Sequence, residues 1–162
     1  MMKYDVLYID SFKGGVCAID TFDSYDAAYY YAALEQEWEY YAPNESYVLA
    51  IQPHYTFVNL TPHEIRVIGA GPNGADVIIP TSGTVARCES KRTVMSSVNG
   101  IPVNRTVMGE VQGLPAPIEG VVYIVSKIVA EAVPERDDVL IVDDTVRDES
   151  GRIVGCRAFA HI

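Results

Sequence analysis

The chain has 162 residues, 49 % of them hydrophobic and 21 % charged, and a formal net charge of −10. That composition belongs to a folded chain with room for one ordinary domain, or for a small module and a domain of about 100 residues. A surplus of carboxylates speaks against nucleic-acid backbones as partners, since those are bound by clustered Lys and Arg.

Tyr4–Ile9 alternates polar and apolar residues and reads as a strand; Ser11–Gly15 carries turn residues, and Val16–Ile19 reads as the second strand of a hairpin. The opening MMKYDVLYIDSFKGG sets charges inside its apolar run, so it is not read as a signal peptide. No apolar stretch approaches the length that spans a bilayer. The expected location is therefore the cytoplasm. Asp23 or Ser24 can cap a helix through about Tyr41, which Pro43-Asn44 ends. Ala27, Tyr31, Leu34, Trp38 and Tyr41 recur at helical spacing and form the stripe expected to pack on the sheet. Tyr29, Tyr30, Glu35, Glu37, Glu39 and Tyr40 then make an acidic, aromatic outer surface, which a solvated face explains and which could also bind a protein or imitate nucleic acid. Tyr47–Ile51 supplies a third strand, and Gln52-Pro53 closes a ββαβ module.

A composition shift marks the boundary that follows. Residues 1–55 hold two basic and nine acidic side chains, a net of −7; residues 56–162 hold ten and thirteen, a net of −3. Ten of the eleven tyrosines precede residue 56, leaving Tyr123 beyond it. The reading is α+β: an acidic, tyrosine-rich module over 1–55 and a β-rich mixed domain over 56–162, with one or two short helices and a C-terminal hairpin.

In that domain Phe57–Leu60, Ile65–Ile68 and Asp76–Ile79 read as strands, the last two joined across the turn chemistry of Gly69–Gly74. Thr84–Glu89 and Val103–Met108 look like further strands, and Gly109–Gly120, with Pro115 and Pro117, like an irregular loop. Val121–Val125, Lys127–Val133 and Val139–Val142 then run strand, short helix, strand, with enough residues between the strands for a parallel crossover. Val146–Ile162 is read as a hairpin turning at Asp148–Gly151.

Chemistry concentrates in that last hairpin. With a four-residue loop over Asp148–Gly151, Arg147 and Arg152 would face each other, and opposed residues share a face. Two guanidinium groups side by side repel unless a carboxylate such as Asp148 or a polyoxygen anion such as a pyrophosphate lies between them. Ser126 and Lys127 form a second candidate, where a helix N-terminus after a strand offers free N–H groups to an anion. Asn104-Arg105-Thr106 adds polar groups to an apolar strand. The carboxylates of Asp143, Asp144, Asp148 and Glu149 lack the spacing and glycine of a calcium loop, and Cys17, Cys88 and Cys156 form no CxxC pair, so neither a metal nor a disulfide framework is expected. No GxSxG elbow, HExxH pair, Walker loop or Rossmann fingerprint occurs. No cofactor is expected and no catalytic residues are named.

The segments FVNLTPHEI (57–65), IPTSGTVAR (79–87), IPVNRTVMGEVQGLP (101–115), GVVYIVSKIVAEAVPERDDVLIVDD (120–144) and VRDESGRIVGCRAFA (146–160) resemble, as a set, the first type of Thoeris anti-defence protein. The resemblance covers residues 57–162. It implies a phage-type sponge that sequesters a cyclic ADP-ribose signal made by a TIR-domain enzyme and does not cleave it. It further implies a homo-oligomer, dimer or higher, with ligand pockets at subunit interfaces, and some such proteins also hold cyclic oligonucleotides in a separate pocket. Arg147 and Arg152, in the family-like VRDxxGR segment, are the residues it assigns to the ligand; Arg105, Ser126 and Arg136 fall in matching segments. The N-terminal module lies outside the resemblance and stands as an oligomerisation piece, a pocket lid or a second inhibitor.

Three functions therefore stand side by side: a nucleotide-signal sponge, a protein-binding inhibitor or nucleic-acid mimic working through the acidic module, and a hydrolase or lyase of the same signal. No membrane and no nucleic acid is expected as a partner.

Overall fold

Strand β1 (Lys3–Asp10) lies between β2 (Val16–Phe22) and β3 (Tyr47–His54), both antiparallel to it. The computed structural model describes residues 1–10, 16–41 and 47–162, with side chains outside 10–18 and 35–48. The expected turn at Ser11–Gly15 and the stop at Pro43-Asn44 lie outside the described residues. Helix α1 (Tyr25–Tyr41) packs on one face of this sheet. Its cap is Ser24, whose Oγ accepts the Ala27 N–H at 3.2 Å while its carbonyl accepts the Ala28 N–H at 3.1 Å.

Of the expected stripe, Tyr31 packs on the sheet, Ala27 and Leu34 do not, and the side chains of Trp38 and Tyr41 lie outside the described residues. Ala28 and Ala32 are buried against Val6, with Tyr31 half-buried beside them, whereas Ala27 is exposed and Leu34 is 39 % exposed. Small residues four apart let the helix approach the sheet closely, and bulk on the neighbouring stripe does not. Tyr31 sits at the border because its hydroxyl has partners there: it accepts from Tyr8 at 2.8 Å and donates to Asp20 at 3.3 Å. Gln52-Pro53 does not close the module. Strand β3 runs through Pro53 to His54, which an edge strand permits because the missing N–H faces away from its single neighbour. On the other face Asp5 is buried, accepting the Thr21 hydroxyl at 2.7 Å and hydrogen-bonded to His54 Nδ1 at 2.9 and 3.0 Å.

The second part is a mixed six-stranded sheet. Its strands are β4 (Thr56–Asn59), β5 (Ile65–Val67), β6 (Val77–Ile79), β9 (Val121–Ile124), β10 (Val139–Arg147) and β11 (Ile153–Ala160), in the order β4-β9-β10-β11-β5-β6. The strands β4, β9 and β10 are mutually parallel, and the single-turn helix α2 (Lys127–Glu131) makes the expected crossover from β9 to β10. At its far edge the sheet meets itself: Asn59 bridges to Thr81 in parallel, and the Ser82 N–H donates to the Asn59 carbonyl at 2.9 Å. One core cluster (Ile65, Val67, Ile79, Ile124, Cys156) forms between the strands this closure brings together. Another (Leu60, Tyr123, Val125, Val129, Ala130, Val139) holds α2. Strand β9 feeds both clusters, because Tyr123 and Ile124 point to opposite sides of the ladder.

Between β6 and β9 stands a long antiparallel hairpin, β7 (Arg87–Val98) and β8 (Ile101–Gln112), which pair with each other in a separate two-stranded sheet. This corrects the two short strands expected at Thr84–Glu89 and Val103–Met108, and it shortens the irregular loop to 113–120. The turn is Asn99-Gly100, both at positive φ (50° and 82°), the combination that a two-residue hairpin loop demands. Residues 89–107 are exposed throughout, so no inside–outside alternation announced the strands. The fold as a whole is α+β and β-rich.

Candidate ligand-binding site

Two clefts open where the parallel strands β4 and β9 end. The segments that follow them, Leu60–Pro62 and Val125-Ser126, form part of the walls of each, and Thr61 and Ser126 belong to both. This is the end of a parallel sheet at which ligands characteristically bind, because the chain turns away there and leaves backbone groups uncovered. The turn after β4 is built by Asn59, buried to 1 % exposure. Its Oδ1 accepts the amide of Thr61 at 2.9 Å and the Thr61 hydroxyl at 2.7 Å, while its Nδ2 donates to the carbonyls of His63 (2.8 Å) and Ile79 (3.2 Å). Every hydrogen-bonding site of this buried amide is used.

The larger cleft, about 720 Å³, lies between that turn, Lys127 of α2, and the base of the β10–β11 hairpin. Ile65, Ile141 and Ile153 give it apolar walls, and Cys156 lines its buried side. Burial holds the Cys156 thiol above its ordinary pKa, so it stays protonated. His63, Arg66, Lys127 and Thr145 bring polar groups to the same space. Arg66 is paired with Asp76 at 3.1 Å, and Lys127 reaches Glu131 at 3.8 Å. The smaller cleft, about 450 Å³, is lined by Val85–Glu89, Gln112 and Ile128. Among the described residues no group of His, Cys, Asp and Glu is placed to hold a metal ion.

The structure redistributes the residues singled out in the sequence. Arg147 and Arg152 are not opposed: Arg152 falls in the loop, and Arg147, next to a bulge after Val146, pairs with Ile153. The loop is five residues long because Asp148 holds it together. Asp148 accepts the Ser150 hydroxyl (2.6 Å) and the amides of Ser150 and Arg152 (2.9 Å each), which keep its carboxyl below the usual range. Arg147 donates to the Gly151 carbonyl at 2.8 Å, and its pairing sets it on the same hairpin face as Ile153, a residue of the larger cleft. Ser126 and Lys127 do line that cleft, but α2 is one turn long and Ser126 makes no side-chain cap bond, so a helix terminus adds little field there.

Arg136 is a structural residue. It clamps Asp138 through Nε at 2.6 Å and Nη2 at 2.7 Å, donates to the Pro115 carbonyl at 3.0 Å and lies over the Tyr123 ring. The shared hydrogen bonds raise the Arg136 pKa and lower that of Asp138. Arg105 is exposed in the middle of β8 opposite Thr93, away from both clefts.

Neither protein-family models, nor curated proteins, nor solved structures give a match to this chain. The residues missed in the sequence are Thr61, His63, Arg66, Thr145, Ile153 and Cys156. For the first two the signal was present in Asn59-Leu-Thr-Pro-His63, where an Asx turn ends a strand. For the rest, only the register of the sheet brings them together.

Proposed function

We propose that the protein binds a cyclic ADP-ribose-type nucleotide signal and holds it intact, as a sponge in phage counter-defence. The observation that carries this reading is a convergence. The five segments that resemble the anti-defence family, far apart in the chain, all contribute to the two adjoining clefts at the ends of β4 and β9. A volume of about 720 Å³ suits a small-molecule ligand, which needs mostly apolar walls and a few placed polar groups. The adenine would lie among the isoleucines, and the pyrophosphate toward Lys127 and the hairpin that bears Arg147 and Arg152. A sponge needs tight binding and slow release, so converging donors suffice without a nucleophile.

The chain works as a homo-oligomer in this reading. Support comes from the β7–β8 arm, which exposes Val94, Met95, Val98, Ile101 (69 %) and Val107 to solvent. A two-stranded ribbon is marginal alone, and a patch of this kind is ordinarily covered by another chain.

The test is release. Purified protein is incubated with cyclic ADP-ribose isomers, desalted, heat-denatured, and the supernatant chromatographed. Intact nucleotide in stoichiometric amount is the expected result. A converted product makes the protein a hydrolase or lyase, and no recovered nucleotide overturns the sponge. Arg147→Ala and Arg152→Ala are expected to abolish capture, read by calorimetry, while leaving the fold intact.

A further inference from the structure

Three residues other than glycine, among those described, have a positive φ: Asn73 (57°), Asn99 (50°) and Asp144 (44°). The two asparagines each precede a glycine in the connection between paired strands, where the left-handed region is ordinary. Asp144 lies inside β10, with strand on either side of it. The ladder shows the departure. From Ile141 to Val146 every residue of β10 has its partner on β11 in one register except Asp144, which is skipped: Asp143 faces Ala158 and Thr145 faces Cys156. No residue is inserted there, so the feature is a kink and not a bulge.

An aspartate enters the left-handed region more readily than most residues, and a β-branched residue least readily. The ion pair of Asp144 does not account for its conformation. Arg157 Nη1 lies 3.6 Å from Asp144 Oδ2, and both side chains are more than half exposed, where such a pair adds little. What the kink divides is the wall of the larger cleft. Ile141 and Val142 line it before Asp144; after it come Thr145, the Thr145 partner Cys156, and Ile153, the partner of Arg147. In a uniformly extended strand Ile141 and Thr145 would stand in one row on one face. A left-handed residue between them re-aims the strand beyond it. Backbone strain kept inside an element, with no inserted residue to demand it, is the kind that positions groups at ligand clamps.

We infer that Asp144 is the positioning residue of the larger cleft, an assignment that rests on the nucleotide reading of that cleft. Its left-handed backbone turns the outer half of the β10–β11 hairpin across the opening. Thr145 and Ile153 are thereby held over the apolar walls, and Arg147 is carried with them toward the pyrophosphate. Cys156, 2 % exposed, lies beneath that wall and reports on whether it is in place.

The experiment compares Asp144→Val, which resists the left-handed region, with Asp144→Gly and Asp144→Asn, which accept it. All three remove the carboxylate, which itself holds the Cys156 thiol toward its protonated form, so charge is constant across the set. Two readouts are taken on the full chain. One is alkylation of Cys156 by iodoacetamide, with peptide mass spectrometry to separate it from Cys17 and Cys88; the other is capture of cyclic ADP-ribose isomers by calorimetry. Asp144→Val should alkylate about tenfold faster than the other two and bind about tenfold more weakly, the scale of one strained residue released. Asp144→Gly and Asp144→Asn should match each other in alkylation, and the parent in capture, within about twofold. Arg136→Met, expected to lower stability from outside this cleft, should change neither readout. If Asp144→Val does not fold, Asp144→Ala takes its place, with about threefold expected in each readout. Equal alkylation across the three variants, or an equal rise in Arg136→Met, overturns the role of Asp144. Loss of capture in Asp144→Gly or Asp144→Asn as large as in Asp144→Val also overturns it, since the carboxylate and not the backbone then matters. The expected alkylation pattern with no capture by the parent overturns the nucleotide reading alone and leaves the positioning of the wall standing.

Discussion

Asn59 accepts two hydrogen bonds from Thr61, one from its amide and one from its hydroxyl, and so fixes the turn on which both clefts depend. The same side chain donates to the Ile79 carbonyl, beside the point where the edges of the sheet meet. Replacing it by alanine would leave buried acceptors unpaired and open a void. Asn59→Ala is expected to cost about 3 kcal/mol, read as a lower urea midpoint at unchanged slope. Asn59→Asp keeps the acceptor but loses both donors and should cost nearly as much at neutral pH.

Arg136 and Asp138 form a largely buried bidentate pair, with side chains 16 and 18 % exposed. Arg136→Met should lower stability by about 1–3 kcal/mol, since charge-assisted bonds are lost and a carboxylate is stranded. Nucleotide capture per folded molecule should be unchanged. The pH dependence follows from the lowered carboxyl. Its contribution is full above the unfolded value of about 4 and disappears as pH falls through the lower folded value. Acid titrations of stability in the parent should show that loss, and in Arg136→Met it should shrink.

Asp148 organises the arginine-bearing loop from an exposed position. Its carboxyl is held low by the Ser150 hydroxyl and by the amides of Arg152 and Ser150. Protonation therefore loosens the loop only in acid, below the ordinary carboxylate range. The Ser150 and Arg152 amide resonances should move together through that transition. In Asp148→Ala they should be displaced at every pH, with capture of the nucleotide weakened.

Gly155 marks where β11 passes β5. A Cβ there would stand 2.8 Å from the Arg66 carbonyl oxygen and 3.0 Å from the Ile68 side chain. Gly155→Ala must push the two strands apart, for a cost of about 1–3 kcal/mol by thermal unfolding. Because Gly155 and Arg66 both line the larger cleft, the change should weaken nucleotide capture as well.

The β7–β8 arm gives a test of assembly. Val98→Glu/Ile101→Glu flanks the Asn99-Gly100 turn and places charge on the exposed apolar tip. Light scattering should show a shift toward monomer without loss of folded signal. An unchanged mass would remove the arm from the interface.

Much of the fold was readable as pattern. Apolar runs bounded by turn residues located β1 to β6 and β9 to β11, and Lys127–Val133 located α2, because burial on one or both faces imposes its period on the residues. The pattern failed where that pressure is absent. The β7–β8 arm is exposed along most of its length, so its strands carry no alternation, and Asn99-Gly100 is the one local cue to the hairpin. In α1 the residues that pack, Ala28 and Ala32, are small and stand out less in sequence than their bulky neighbours.

The hairpin with its two arginines illustrates the division most clearly. Its existence, its turn around Asp148 to Gly151 and its cationic character were all determined by local sequence. Whether Arg147 faces Arg152 was not, because the loop takes in Arg152 as a fifth residue and a bulge after Val146 sets Arg147 opposite Ile153. Likewise the sequence by itself specified an acidic tyrosine-rich module and a β-rich domain. Only the tertiary structure decided that Arg136 is held by Asp138 and that Arg105 lies apart from the clefts. It also decided that Thr61 and Ser126 share a wall between them. Side-chain neighbours across a sheet are set by strand order and register, and those depend on contacts between residues far apart in the chain.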